Sequence, residues 1–161
     1  AGESGAGDHG GTAGARTVSL KARALRMLAR REHSRAELAR KLALHAQDER
    51  ELAELLDALA AARLLSNERF AESLVHRRSE RFGAATIRRE MRAHELDDAL
   101  VDAHVSALQR TELERARAVW IRRFGRLPES LAERARQARF LLARGFSADS
   151  VRRIVGGVVD D

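Results

Sequence analysis

Three segments of the chain repeat one arrangement of small, cationic and apolar positions: SRAELARKL at Ser34–Leu42, GAATIRREM at Gly83–Met91 and SADSVRRIV at Ser147–Val155. Each opens on a small residue and carries apolar residues four and eight positions later, with arginine or lysine between them. Positions four apart share one face of a helix, so Leu38/Leu42, Ile87/Met91 and Val151/Val155 are placed to enter a core while the cations face outward. The starts at 34, 83 and 147 are unevenly spaced, which favours diverged helical modules over identical stacked repeats.

The pattern around these segments predicts about nine helices. A first covers about 18–31 with Leu20, Leu25 and Leu28 inward. Ser34 and Glu37 form a capping-box pattern for a second, about 35–45, and Asp48 with Glu51 does the same for a third, about 49–63, striped by Leu52, Leu55, Leu56 and Leu59. Ser66/Asn67 open a fourth helix that carries Phe70, Leu74 and Phe82, with Gly83 placed to stop it. Ile87, Met91 and Leu96 define the fifth. Asp97/Asp98 start the sixth, which holds Leu100, Val101, Val105 and Leu108. Thr111 and Glu114 offer another capping box for a helix through Leu113, Val119, Trp120 and Phe124, closed by Gly125. Pro128 suits a helix start, and the helix after it presents Leu131, Ala135, Ala138 and Leu142 before Gly145. Ser147 caps the last. Grouped by threes, these give units at 17–65, 66–109 and 110–157, between a glycine-rich tail at 1–16 and a short C-terminal tail at 158–161.

Composition narrows the picture. Of 161 residues 44% are hydrophobic, but aromatics are 4%, tyrosine is absent and Pro128 is the single proline, a balance that disfavours a β-sandwich or barrel. The absence of cysteine excludes disulfides, zinc-thiolate sites and cysteine nucleophiles. With no apolar run of membrane-spanning length and no signal-peptide core, the expectation is a soluble cytoplasmic protein, monomeric and without membrane contact. Net charge is +6. Residues 17–65 carry ten basic and seven acidic side chains, residues 66–109 seven and eight, and residues 110–159 twelve and five. Positive potential is therefore concentrated in the last third, where it suits DNA, RNA or an acidic protein groove.

Candidate chemistry is sparse. Gly5-Ala-Gly7-Asp-His-Gly10 matches a dinucleotide fingerprint as a string, without the strand and following βαβ unit that would give it meaning. His94, Asp97, Asp98, Asp102 and His104 lack a metal-ligand spacing, and Asp97/Asp98 serve as helix-start residues. No nucleophile, base or paired carboxylate stands in a readable catalytic context, so no enzyme, metal or cofactor is expected. Ser34–Leu42, the leucine-rich helix after it and Ala62–Ser66 fit a winged helix-turn-helix that would read DNA directly. Against this, the segment after it is helical rather than a β-hairpin, and Asp48, Glu49, Glu51, Glu54 and Asp57 would repel phosphates. The remaining signal is arginine: Arg77/Arg78/Arg81, Arg88/Arg89/Arg92, Arg122/Arg123/Arg126 and Arg152/Arg153. Arg88/Arg89/Arg92 and Arg122/Arg123/Arg126 are the least easily neutralised by local carboxylates.

Four segments in order, Leu28–Leu38 (LARREHSRAEL), Leu65–Ala71 (LSNERFA), Phe82-Gly83 with Ile87–Met91 (IRREM), and Phe140–Ser147 (FLLARGFS), give the chain a resemblance to the RecX family of bacterial recombination regulators over about residues 20–157. The resemblance implies an all-α fold, an elongated, curved array of three tandem three-helix units. It further implies a non-enzymatic modulator, mostly an inhibitor, of the RecA recombinase. Such a protein binds in the groove of the RecA–single-stranded DNA filament and limits filament growth, ATP hydrolysis, strand exchange and LexA cleavage, with DNA contacted weakly or through the filament. On that reading the eleven arginines named above are the contact candidates.

Overall fold

The computed structural model describes residues 18–156. Both expected tails, 1–16 and 158–161, lie outside them, and so does the glycine string at Gly5–Gly10. Among the described residues there are nine α-helices and no strand: α1 Leu20–Arg30, α2 Arg35–Leu42, α3 Glu49–Ala61, α4 Asn67–Arg78, α5 Ala84–Ala93, α6 Asp98–Arg110, α7 Glu112–Arg123, α8 Leu131–Ala143 and α9 Ala148–Val155. A short 3-10 turn, Ala43–His45, takes the end of the segment expected as the tail of α2.

Helix starts follow the serine and aspartate signals. Ser19, Ser34, Asp48, Ser66, Ser130 and Ser147 each accept a backbone N–H at the third residue on, satisfying a donor that the first helical turn leaves without an internal partner. Two starts differ from expectation. Thr111 makes no cap, because α6 runs almost directly into α7 and its hydroxyl turns back to the Leu108 carbonyl. Pro128 sits in the loop, and Ser130 with Glu133 sets the start of α8 instead.

Three separate apolar clusters hold the helices. Ala24, Leu38, Leu42, Leu56, Leu59 and Leu65 join α1–α3. Phe70, Leu74, Ile87, Met91, Val101 and Leu108 are among those that join α4–α6. Ala116, Val119, Leu141, Phe146, Val151, Ile154 and Val155 join α7–α9. The four-residue spacing thus places the expected residues of α2, α5 and α9 inside. Two faces are corrected. In α1 the fully buried position is Ala24; the expected Leu20 and Leu28 pack partly buried against the core, and Leu25 is 37% exposed. In α8 the inward residues are Gln137 and Leu141, the expected Ala138 packs partly buried against the same core, and Leu131 and Leu142 stay 82% and 46% exposed. Gln137 is paired on both sides, accepting from Trp120 Nε1 at 2.8 Å and donating to the Arg126 carbonyl at 3.1 Å.

Gly83 is also reassigned. It does not end α4 by a left-handed turn; its φ is −80° and it stands as N-cap of α5 with no side chain to cap it. The third group of helices supplies the caps. Gly83 N–H donates to the Arg144 carbonyl at 2.8 Å, Ala84 N–H to the buried Glu112 carboxylate at 3.1 Å, and Ala85 N–H to the Gly145 carbonyl at 3.3 Å. A carboxylate at this end also complements the helix dipole. A Cβ at Gly83 would overlap the Gly145 backbone, which explains glycine there by close approach rather than by dihedral freedom. Gly145, at φ +90°, does need that freedom, and closes α8 as the pattern suggests.

Candidate functional site

The arginine clusters separate into tied and open groups. Arg78 is ion-paired with Glu90 on α5 at 3.1 Å, so it joins helices within the second group. Arg152 and Arg153 share Asp149 at 3.6 and 3.3 Å, exposed contacts that hold them only loosely. Arg77, Arg81, Arg88, Arg89, Arg92, Arg122, Arg123 and Arg126 have no carboxylate within ion-pair distance among the described residues. Arg89 and Arg92 are exposed on α5, while the half-buried Arg88 borders a separate hollow with Gln109 and Ser147.

Three of the open arginines meet. Arg81 from the loop after α4, and Arg122 and Arg123 from the last turn of α7, line a cleft of about 320 Å³ with Glu80, Val119, Phe140 and Arg144. Arg122 donates to the Glu80 carbonyl at 3.0 Å, which fixes it across the junction. The guanidinium of Arg123 lies 5.3 Å from the centre of the Phe140 ring. Arg144 lies 5.1 Å from that ring and 5.2 Å from Phe82, whose ring also has Arg78 at 4.9 Å. Cations and rings therefore alternate in the order Arg123, Phe140, Arg144, Phe82 and Arg78, the first three of them lining the cleft. Stacking of this kind orients a guanidinium while leaving its N–H edge free for an anion. Phe140 in turn meets Phe124 edge-on, with centroids 5.5 Å apart.

Arg115 performs a different task. Half-buried in α7, it donates to the carbonyls of Ser79, Phe82 and Leu108 at 2.8, 2.7 and 2.9 Å, stapling the cleft's two walls together. Burial pushes its guanidinium below the usual range, against the opposing charge of Glu112. The sequence clusters did not include Arg115, Glu112 or Arg144. Arg144 and Glu112 each stand next to a residue of a visible turn, but only the packing of α5 against the α8–α9 turn shows what they do.

The other junction, between the first and second groups, is polar and uncharged at its centre. Ser34 Oγ and His94 Nδ1 are 2.8 Å apart, and the His94 ring lies 4.5 Å from Phe70. Arg35 N–H donates to Asn67 at 2.9 Å, and Arg69 pairs with Glu32 at 2.8 Å. His94 is thus a joint residue, and among the described residues no group of three or more histidine or carboxylate side chains is arranged to hold a metal ion.

Comparison with known proteins places the chain. Three family models match it in order: RecX, first three-helix domain, at residues 21–59; RecX, second three-helix domain, at 66–104; and RecX, third three-helix domain, at 111–155. Regulatory protein RecX of Ralstonia nicotianae is 56% identical over 140 residues, covering 87% of this chain and 88% of the relative. That of Leptothrix cholodnii is 55% identical over 139 residues, covering 86% and 88%. A crystal structure of RecX from Lactobacillus salivarius superimposes with a TM-score of 0.71 over 85% of this chain and 92% of that one, and at 21% identity this likeness carries the fold alone. Fold and matches define a regulatory protein built of three tandem three-helix domains. The chain belongs to the RecX family.

Proposed function

We propose that the chain is a non-enzymatic regulator, mainly an inhibitor, of the RecA recombinase, acting as a cytoplasmic monomer. In this reading it binds the groove of the RecA–single-stranded DNA filament and limits its growth, with ATP hydrolysis, strand exchange and LexA cleavage falling as a consequence. Family membership across all three domains supports a regulatory role. The observation that carries the filament reading is the cationic cleft, where Arg81, Arg122, Arg123 and Arg144 converge. A partner containing nucleic acid supplies the phosphates that such a cleft suits, and its binding should weaken as salt rises. Arg77, Arg88, Arg89, Arg92 and Arg126 extend the contact surface. Arg78, Arg152 and Arg153 contribute less because they already face carboxylates.

The competing reading is direct DNA binding by a winged helix-turn-helix. It is weaker on two counts. The helix that would enter the groove, α3, exposes Glu49, Glu54 and Asp57, and no strand is present among the described residues to form a wing. Filament growth followed by light scattering tests the choice. RecA assembly on single-stranded DNA is expected to stall with less than one copy of the chain per RecA, and an unchanged growth rate would contradict the reading.

A further inference from the structure

We propose that α8 and α9 form a docking groove for an amphipathic helix whose apolar side chains are flanked by carboxylates. This surface is separate from the cationic cleft and the inference does not rest on the RecA reading.

Helix α8 carries two apolar stripes. One, ending in Leu141, is consumed by the core of α7–α9. The other, Leu131, Ala135, Ala138 and Leu142, has the i, i+4, i+7, i+11 spacing of a helix-packing face; Ala138 is partly buried against the core of α7–α9, and Leu131, Ala135 and Leu142 are left exposed. Together with Val151 and Val155 of α9 this stripe lines a groove of about 460 Å³. Val151 and Val155 belong to the core and form the floor of this groove, and the exposed Leu131, Ala135 and Leu142 form its apolar side. A groove between two helices fits a third helix that inserts side chains at matching spacing.

Charge selects the kind of helix. The polar side chains bordering the groove are Arg134 and Arg152, one on each helix. Arg134 has no carboxylate within ion-pair distance among the described residues, and Arg152 has only Asp149, at 3.6 Å and exposed. The third part of the chain is also strongly basic, so an acidic partner gains from the wider field as well as from the two rim contacts. A cationic or neutral amphipathic helix would lose that gain.

The test uses the full chain and two synthetic helical peptides with leucines at i, i+4 and i+7, one with glutamates and one with lysines between them. Fluorescence anisotropy should show saturable binding of the glutamate peptide only. Leu131→Asp with Leu142→Asp, both at exposed positions and therefore compatible with folding, should weaken it by at least about tenfold with an unchanged circular dichroism spectrum. Arg134→Glu with Arg152→Glu should reverse the preference toward the lysine peptide. Equal binding of both peptides, or binding indifferent to the leucine variant, would overturn the proposal. So would a concentration-dependent dimer abolished by the leucine variant, which would give the groove to a second copy. Peptide binding that appears only after removal of residues 157–161 would give it to the chain's own end and likewise overturn it.

Discussion

Ser34 and Gly83 begin equivalent helices by different means. Ser34 caps α2 with its own hydroxyl, whereas Gly83 leaves α5 to be capped by the Arg144 and Gly145 carbonyls and by Glu112. Gly83→Ala keeps an accessible φ but forces the two backbones apart, and we expect a loss of about 1–3 kcal/mol in urea melts. Unchanged stability would mean that the junction yields freely. Two histidines give a pH signature. His33 Nδ1 faces the Arg31 carbonyl at 3.1 Å, so Nε2 is left to accept from Lys41 at 3.1 Å. Ser34 already receives the Glu37 N–H, which leaves its own proton for His94 Nδ1. Burial pushes both rings below the ordinary histidine range, so the folded chain favours their neutral form. Since the unfolded chain then binds protons first, stability is full above about pH 6.5 and falls as pH drops through that value toward the depressed folded ones. Melts between about pH 7.5 and 5.5 should show this fall, and His33→Gln with His94→Gln should flatten it. For Glu37, burial pushes the carboxyl up, but the Arg31 hydrogen bonds and the charges of Arg31, His33 and Lys41 outweigh it and hold it low. Its contribution is lost only at more acid pH, outside the histidine window.

At the scale of the helix, α8 is where pattern and packing part. Leu141→Ala should cost about 2–5 kcal/mol, because its side chain is fully buried. Leu142→Ala should stay within about 0.5 kcal/mol. Thermal melts showing equal losses would place the core on the wrong face of α8. The sequence could not rank these stripes, since Leu131/Leu142 and Leu141 both recur at helical spacing and Gln137 looks polar until Trp120 and Arg126 are seen to satisfy it. The starts of α2, α3, α4 and α9 were legible for a definite reason. Ser34, Asp48, Ser66 and Ser147 act through hydrogen bonds only three residues long in sequence, so local spacing contains the whole interaction. Thr111 failed as a cap because continuity of α6 into α7 is set by packing, not by the residues at the joint.

Across the whole molecule, three small cores are linked by two junctions of different character. The first is held at Ser34–His94 and Glu32–Arg69, the second by Arg115, Glu112 and the Gly83–Gly145 contact. The candidate cleft lies on the second, which explains how far it could be read in advance. Arg81, Arg122 and Arg123 were visible as cationic clusters. Their meeting with Arg144 and Phe140 depends on contacts between residues about 20–60 positions apart, which no local pattern encodes. Glutamate at Arg81, Arg122 and Arg123 together should weaken inhibition of RecA by at least about tenfold, and reversal at Arg152 and Arg153 should weaken it less. Both variants should keep their helical circular dichroism. Equal effects would remove the cleft from its special place. The most direct measurement is a titration of the chain into RecA's single-stranded-DNA-dependent ATP hydrolysis, with DNA binding by the chain alone followed at the same salt. The account predicts inhibition at substoichiometric chain, well below the concentration that coats the DNA. Tight DNA binding with no loss of ATP hydrolysis would contradict it.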